Sequence, residues 1–220
     1  MTRAALLVLA DGRFPAGGHA HSGGAEPAVK EGRIRDAEDL AEFCRGRLHT
    51  TALTAAALAA AAAHGDDPLL LDEAADARTP SPALRAVARR LGRQLMRAAG
   101  ATWPSPELAA LARCRPRGAH QPVVLGLTAR AAGLGPEDAA YCVAHETVSG
   151  PATAVVRLLS LDPFEATAVL ARLAPELDHI AQQAAAAAHG PVDALPALSA
   201  PLLDITAEAH AAWPVRLFAS

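Results

Sequence analysis

Aromatic side chains are scarce in this chain, 3% of 220 residues, although 51% are hydrophobic. The core must therefore be built from Ala, Leu and Val, and such small side chains let helices approach closely. Alanine is also the best helix former, so the alanine runs over residues 55–63 and 184–188 favour helix over strand. An excess of positive charge is missing as well. The net charge is −3 and the isoelectric point about 6.3, which leaves no general basic field for phosphate backbones. Lysine is nearly absent, Lys30 being alone among 20 basic residues. Arginine suits paired interfaces better, but the bias reads as codon composition before function. Paired cysteines are lacking too: Cys44, Cys114 and Cys142 are odd in number, widely spaced and outside any C-x-x-C pattern. Buried free thiols in a reducing compartment fit that pattern. No charged segment with a following apolar core and cleavage site opens the chain, because the apolar run at residues 6–10 is short and Asp11 interrupts it. Nor is any stretch of ~20 residues free of charge, Gly and Pro, and the Ala-rich residues 48–63 are too weakly hydrophobic to span a membrane. A soluble, cytoplasmic protein is expected, bound to neither nucleic acid nor membrane.

At this length the chain can build one sizeable core and hardly two. The expected fold class is all-α, a single helical bundle of about eight to ten helices with a C-terminal tail. Residues 1–189 would form the domain, and residues 190–220 a Pro-rich linker, a short helix and a docking tail. After a short helix at residues 25–31, Asp36 caps a long helix whose buried stripe runs through Leu40, Phe43, Cys44 and Leu48 to about His64. Ser81-Pro82 and Ser105-Pro106 open two more, and Asp162-Pro163-Phe164-Glu165 reads as a capping box. Gly150-Pro151 is expected to break or bend the helix that starts at Gly135-Pro136, and Pro175 to kink or split another. Pro191, Pro196 and Pro201 mark the linker before the last helix. The tail ends on Leu217 and Phe218, which serve either as a plug for a partner's groove or as an anchor on their own domain.

The stretch with the least folding rationale is residues 6–26, LLVLADGRFPAGGHAHSGGAE. Gly17, Gly18, Gly23 and Gly24 crowd one turn, and glycine is used where φ must be positive or another backbone comes close. The loop lacks the P-loop lysine and follows no strand, so it is not a phosphate cradle of that type. His19 and His21 offer two imidazoles, which suit nickel, but two ligands do not make a site. His145-Glu146 and Ser149 supply no nucleophile elbow or paired carboxylates, so catalysis by this chain is not expected. Arg85, Arg89, Arg93 and Arg97, with Arg90 beside them, form a basic helix face that is either solvated or turned to an acidic partner.

Five segments in order resemble the UreF family of urease accessory proteins. They are Arg13, Phe14, Pro15, Gly17, Gly18, His21, Ser22, Gly24 and Glu26 in the opening loop; residues 91–95; residues 120–126; residues 149–158; and the closing Leu202, Leu203, Asp204, Ile205, His210 and residues 216–220. The family usually has an aromatic residue where His19 stands, so no metal site is carried over to it. The resemblance implies a non-enzymatic adaptor, a homodimer that assembles with UreD (also called UreH) and the GTPase UreG, and through them meets the urease apoprotein. The complex couples GTP hydrolysis to nickel insertion. No cofactor is expected to be held stably, and where nickel is handled at all it is in transit. The partner-binding residues implied are Arg13, Phe14, His21, Ser22, Glu26, His210, Arg216, Leu217 and Phe218. A competing expectation is a helical nucleic-acid-binding regulator using the arginine face, and a third is a metal store. The negative charge speaks against the one and the scattered histidines against the other.

Overall fold

A helix that is apolar on every side has to be surrounded, and the alanine-rich α4 (Leu53–His64) decides the architecture in that way. Every residue from 53 to 63 is buried except the half-buried Ala55. Residues 4–218 are described in the computed structural model, and of His19 only the backbone. Among them the fold is all-α, without a strand. Three helices, α8 (Gln121–Ala131), α9 (Pro136–Leu159) and α11 (Ala174–Ala187), enclose α4. Their approach is close enough that a Cβ on Gly126 of α8 would lie 2.1 Å from the carbonyl oxygen of Ala59. Upstream, α3 (Ala37–Arg47) runs into α4 through a π-helical turn at Leu48–Ala52, so one continuous rod spans residues 37–64 as the stripe of apolar residues implies.

The outer elements are α1 (Ala4–Leu9), α2 (Ala25–Lys30), α5 (Pro68–Ala77), α6 (Pro82–Thr102), α7 (Pro106–Cys114), α10 (Pro163–Arg172) and α12 (Pro201–Ala211). Their starts obey capping chemistry. The Asp36 carboxylate accepts from the N–H groups of Glu38 and Asp39, and the Ser81 and Ser105 hydroxyls accept from those of Leu84 and Leu108. Asp162 accepts from Phe164 N–H. Pro175 takes the first turn of α11, and the expected split falls at Leu173.

Pro151 does not behave as expected, since α9 continues through it from Pro136 to Leu159. A proline removes the N–H that would bond the carbonyl four residues back, here that of Thr147. Arg47 supplies the missing donor: its Nε reaches Thr147 O at 3.2 Å, and its Nη1 reaches Gly23 O at 2.7 Å. A helix interior tolerates proline when another donor satisfies the freed carbonyl.

Cys44 and Cys142 are buried free thiols, pushed up to about 11 and about 12 by burial. Cys114 departs from that reading and is exposed at the end of α7. Among the described residues no helix is long and apolar enough to cross a membrane.

Candidate functional site at the joined chain ends

Glu26 carries the site. It stands in the first turn of α2, directly after the glycine turn, and is 7% exposed. A buried carboxylate costs heavily unless hydrogen bonds and charge compensate it. Its partners come from the other end of the chain. The N–H groups of Leu217 and Phe218 donate to its two oxygens at 2.9 Å each, and Nε2 of the fully buried His210 lies 3.1 Å from Oε2. Burial depresses the His210 imidazole, while Glu26 pulls it upward. Trp213 closes the cluster, edge-on to His210 with centroids 4.6 Å apart and with Lys30 Nζ 3.9 Å from its ring centre. The Ser22 hydroxyl, itself buried, accepts from Glu26 N–H at 3.3 Å.

The glycines explain how the loop reaches this point. Gly23 and Gly24 have φ of +56° and +88°, a region L side chains rarely adopt. A Cβ on Gly24 would approach Leu203 of α12 to 3.1 Å. The turn is thus pressed between α12 and Arg47.

The linker is fixed as well. The Arg78 guanidinium gathers the carbonyls of Val192, Leu195 and Pro196 at 3.1 Å, and the Thr54 hydroxyl donates to Leu198 O at 2.9 Å. From α12, Asp204 accepts from Ser81 N–H at 3.2 Å and Glu208 from Ala83 N–H at 2.8 Å. Both carboxylates sit at the N-terminus of α6, where the helix dipole favours them.

Of the implied partner-binding residues, Ser22, Glu26, His210, Leu217 and Phe218 meet in this cluster. Phe218 is 8% exposed and anchors on its own domain, whereas Leu217 is 73% exposed beside an exposed Arg216. Ala219 and Ser220 lie outside the described residues. Arg13 and Phe14 are elsewhere: Arg13 pairs with Asp11 at 2.7 Å on the surface, and Phe14 stacks on Trp103 at 5.8 Å between centroids. Half-buried His21 lies between loop and α6. The histidine pair contributes nothing further, since the His19 side chain is outside what is described, and among the described residues no three potential ligands converge on a metal position.

The arginine face is smaller than its spacing suggests. Arg89 is drawn inward by Asp72, fully buried, and by Asp76, at 3.1 and 2.5 Å. Arg115 Nε and His120 N–H also donate to Asp72, at 2.7 and 2.8 Å, and His120 Nε2 meets Asp76 at 2.7 Å. Arg85 donates to the carbonyls of Thr79 and Pro80. Only Arg90, Arg93 and Arg97 of that stripe stay exposed.

His145 and Glu146 occupy successive positions on α9 and do not work together. Glu146 accepts from Gln121 Nε2 at 2.6 Å, and loss of solvation pushes its carboxyl up to about 7.

Sequence reasoning missed Trp213, Lys30, Arg47 and the Asp72–Asp76 pair. The pair was detectable, since two acids four residues apart on α5 precede a helix with arginines at the same spacing. Nothing local marks Arg47, because its partners are carbonyls far away in sequence.

These features define a class: an all-α protein whose two terminal segments are bonded to each other on one buried carboxylate beside an exposed apolar tail residue. The chain belongs to the UreF family. A profile of that family matches residues 34–174. Full-length relatives extend the likeness over both chain ends. The urease accessory protein UreF of Mycolicibacterium vanbaalenii is 42% identical over 221 residues, covering 99% of this chain and 98% of the relative. That of Mycobacterium sp. (strain JLS) is 43% identical over 100% of this chain and 99% of its own length. The Mycobacterium tuberculosis protein is 40% identical over 94% and 93%.

Proposed function

We propose that this chain is a non-enzymatic adaptor in urease maturation, acting in the cytoplasm within a complex with UreD and the GTPase UreG. The complex would couple GTP hydrolysis by UreG to nickel insertion into the urease apoprotein, with nickel as cargo and not as a resident cofactor. The observation that carries this reading is the Glu26 cluster. It joins the opening and closing family segments into one surface, and it leaves Leu217 and Arg216 facing solvent next to the anchored Phe218. A protein that spends a buried carboxylate on two tail amides sets the position of that tail, and a positioned tail is a docking element.

In this reading residues 1–189 are the body and residues 190–220 the docking segment. Arg216 and Leu217 meet UreD directly, whereas Ser22, Glu26, His210 and Phe218 hold the tail in place. Arg13, Phe14 and His21 lie at a second contact across the loop. A homodimer is expected within the assembly.

Deleting residues 216–220 tests this. Co-expression with UreD should then give no complex in size-exclusion chromatography with light scattering, at unchanged helix content by circular dichroism. An intact complex would overturn the assignment of the tail.

A further inference from the structure

Between the glycine loop and α6 the surface sinks into a cleft of about 690 Å³. One wall is Pro15, Gly17 and His21; the other is Arg90, Gln94 and Arg97. Loop and helix touch here, since a Cβ on Gly17, whose φ is +84°, would come within 1.8 Å of Gln94 Oε1. Many arginines elsewhere in the chain are neutralised, although Arg113, Arg117, Arg157 and Arg216 are exposed and, among the described residues, meet no carboxylate. Arg33, Arg35, Arg45, Arg115 and Arg172 each meet a carboxylate within ion-pair distance. Arg90, Arg93 and Arg97 are exposed and, among the described residues, pair with none. Helix α6 carries no Asp or Glu along its whole length. The cleft is thus lined by two arginines and no carboxylate, on a molecule whose net charge is −3.

Guanidinium groups present a planar fork that takes carboxylates in pairs of hydrogen bonds, and arginine is enriched where proteins meet. Arg90 and Arg97, two unpaired forks two turns apart on the wall of a cleft, with the exposed Arg93 on the same helix outside its lining, match a strand of carboxylates better than a solvated face requires. They match a nucleic acid poorly, because a patch one helix wide neutralises few phosphates. We infer that the cleft between the glycine loop and Arg90 and Arg97 receives an acidic segment of a protein partner. This rests on the adaptor reading above and gives the contact beside His21, separate from the tail, its partner chemistry.

The test uses the full-length chain, its Arg90→Glu/Arg97→Glu variant, and a variant with a photoreactive benzoylphenylalanine in place of Gln94, which lines the cleft. Affinity for UreD and UreG, each alone and together, is measured at low and high salt, with melting curves as the check on folding. The unaltered chain should bind one of them in a salt-sensitive manner. Charge reversal should weaken that binding at least about tenfold at low salt and flatten its salt dependence, and the cross-link should map to a peptide rich in Asp and Glu. Equal affinity and salt dependence in the variant overturn the cleft and leave the adaptor reading standing. No complex by the unaltered chain overturns both. A variant that loses binding to a single-stranded oligonucleotide while keeping its protein complexes overturns the cleft as a protein site.

Discussion

At the scale of single residues, two carboxylates give the sharpest expectations. Glu26 satisfies two amides and His210 inside the fold, so Glu26→Ala strands buried donors as well as losing its own bonds. That change should cost about 2 kcal/mol. It should also release the amides of Leu217 and Phe218 to rapid hydrogen exchange, while those of α4 stay protected; continued protection at 217–218 would contradict the latch. Glu146 makes a different prediction. Its carboxyl stands at about 7 in the fold against an ordinary 4.5. Between those values the folded chain keeps a proton that the unfolded chain releases, so stability falls as pH rises through that window and is level above it. Glu146→Gln removes the fall. Unfolding free energy should be unchanged near about pH 4 and raised near about pH 8, by an amount on the order of 3 kcal/mol. An equal shift at both would show that the carboxyl ionises normally in the fold.

Elements obey the same logic through their closest approaches. Gly126 faces the Ala59 carbonyl and would put a Cβ 2.7 Å from that of Ala62, so Gly126→Ala must push α8 off α4. A loss of about 3 kcal/mol or more is expected in denaturant unfolding. Gly100, in the last turn of α6 with nothing within 4 Å, provides the contrast: Gly100→Ala should stabilise by about 0.5–1 kcal/mol. Similar effects at the two sites would refute the close approach. The helices themselves were legible in the sequence, because Asp36, Ser81, Ser105 and Asp162 are local signals followed by periodic apolar residues. The continuity of α9 was not. Pro151 is a local breaker, and the donor that rescues it, Arg47, comes from another helix about a hundred positions earlier. The arginine stripe misled for a related reason. Spacing places Arg85, Arg89, Arg93 and Arg97 on one face, but only folding brings Asp72 and Asp76 under Arg89. Periodicity reports which face a residue is on, not what lies opposite.

On the scale of the whole molecule, the described residues form an alanine-centred bundle in which the segment after the opening loop and the closing segment are bonded at Glu26. The opening loop and the closing segment could be identified separately from their residues, yet their meeting at Glu26 is a tertiary event that no local pattern encodes. Tail anchoring followed the second of the two options open in the sequence for Phe218, while Leu217 remained outside. The most direct test is urease activation reconstituted from apoprotein, UreD, UreG, GTP, magnesium and nickel, with and without this chain, alongside light scattering of the accessory mixture. This chain should co-elute with both partners, and activation should be lost when it is omitted or lacks residues 216–220. Full activation without it, or with the truncated form, would contradict the adaptor role.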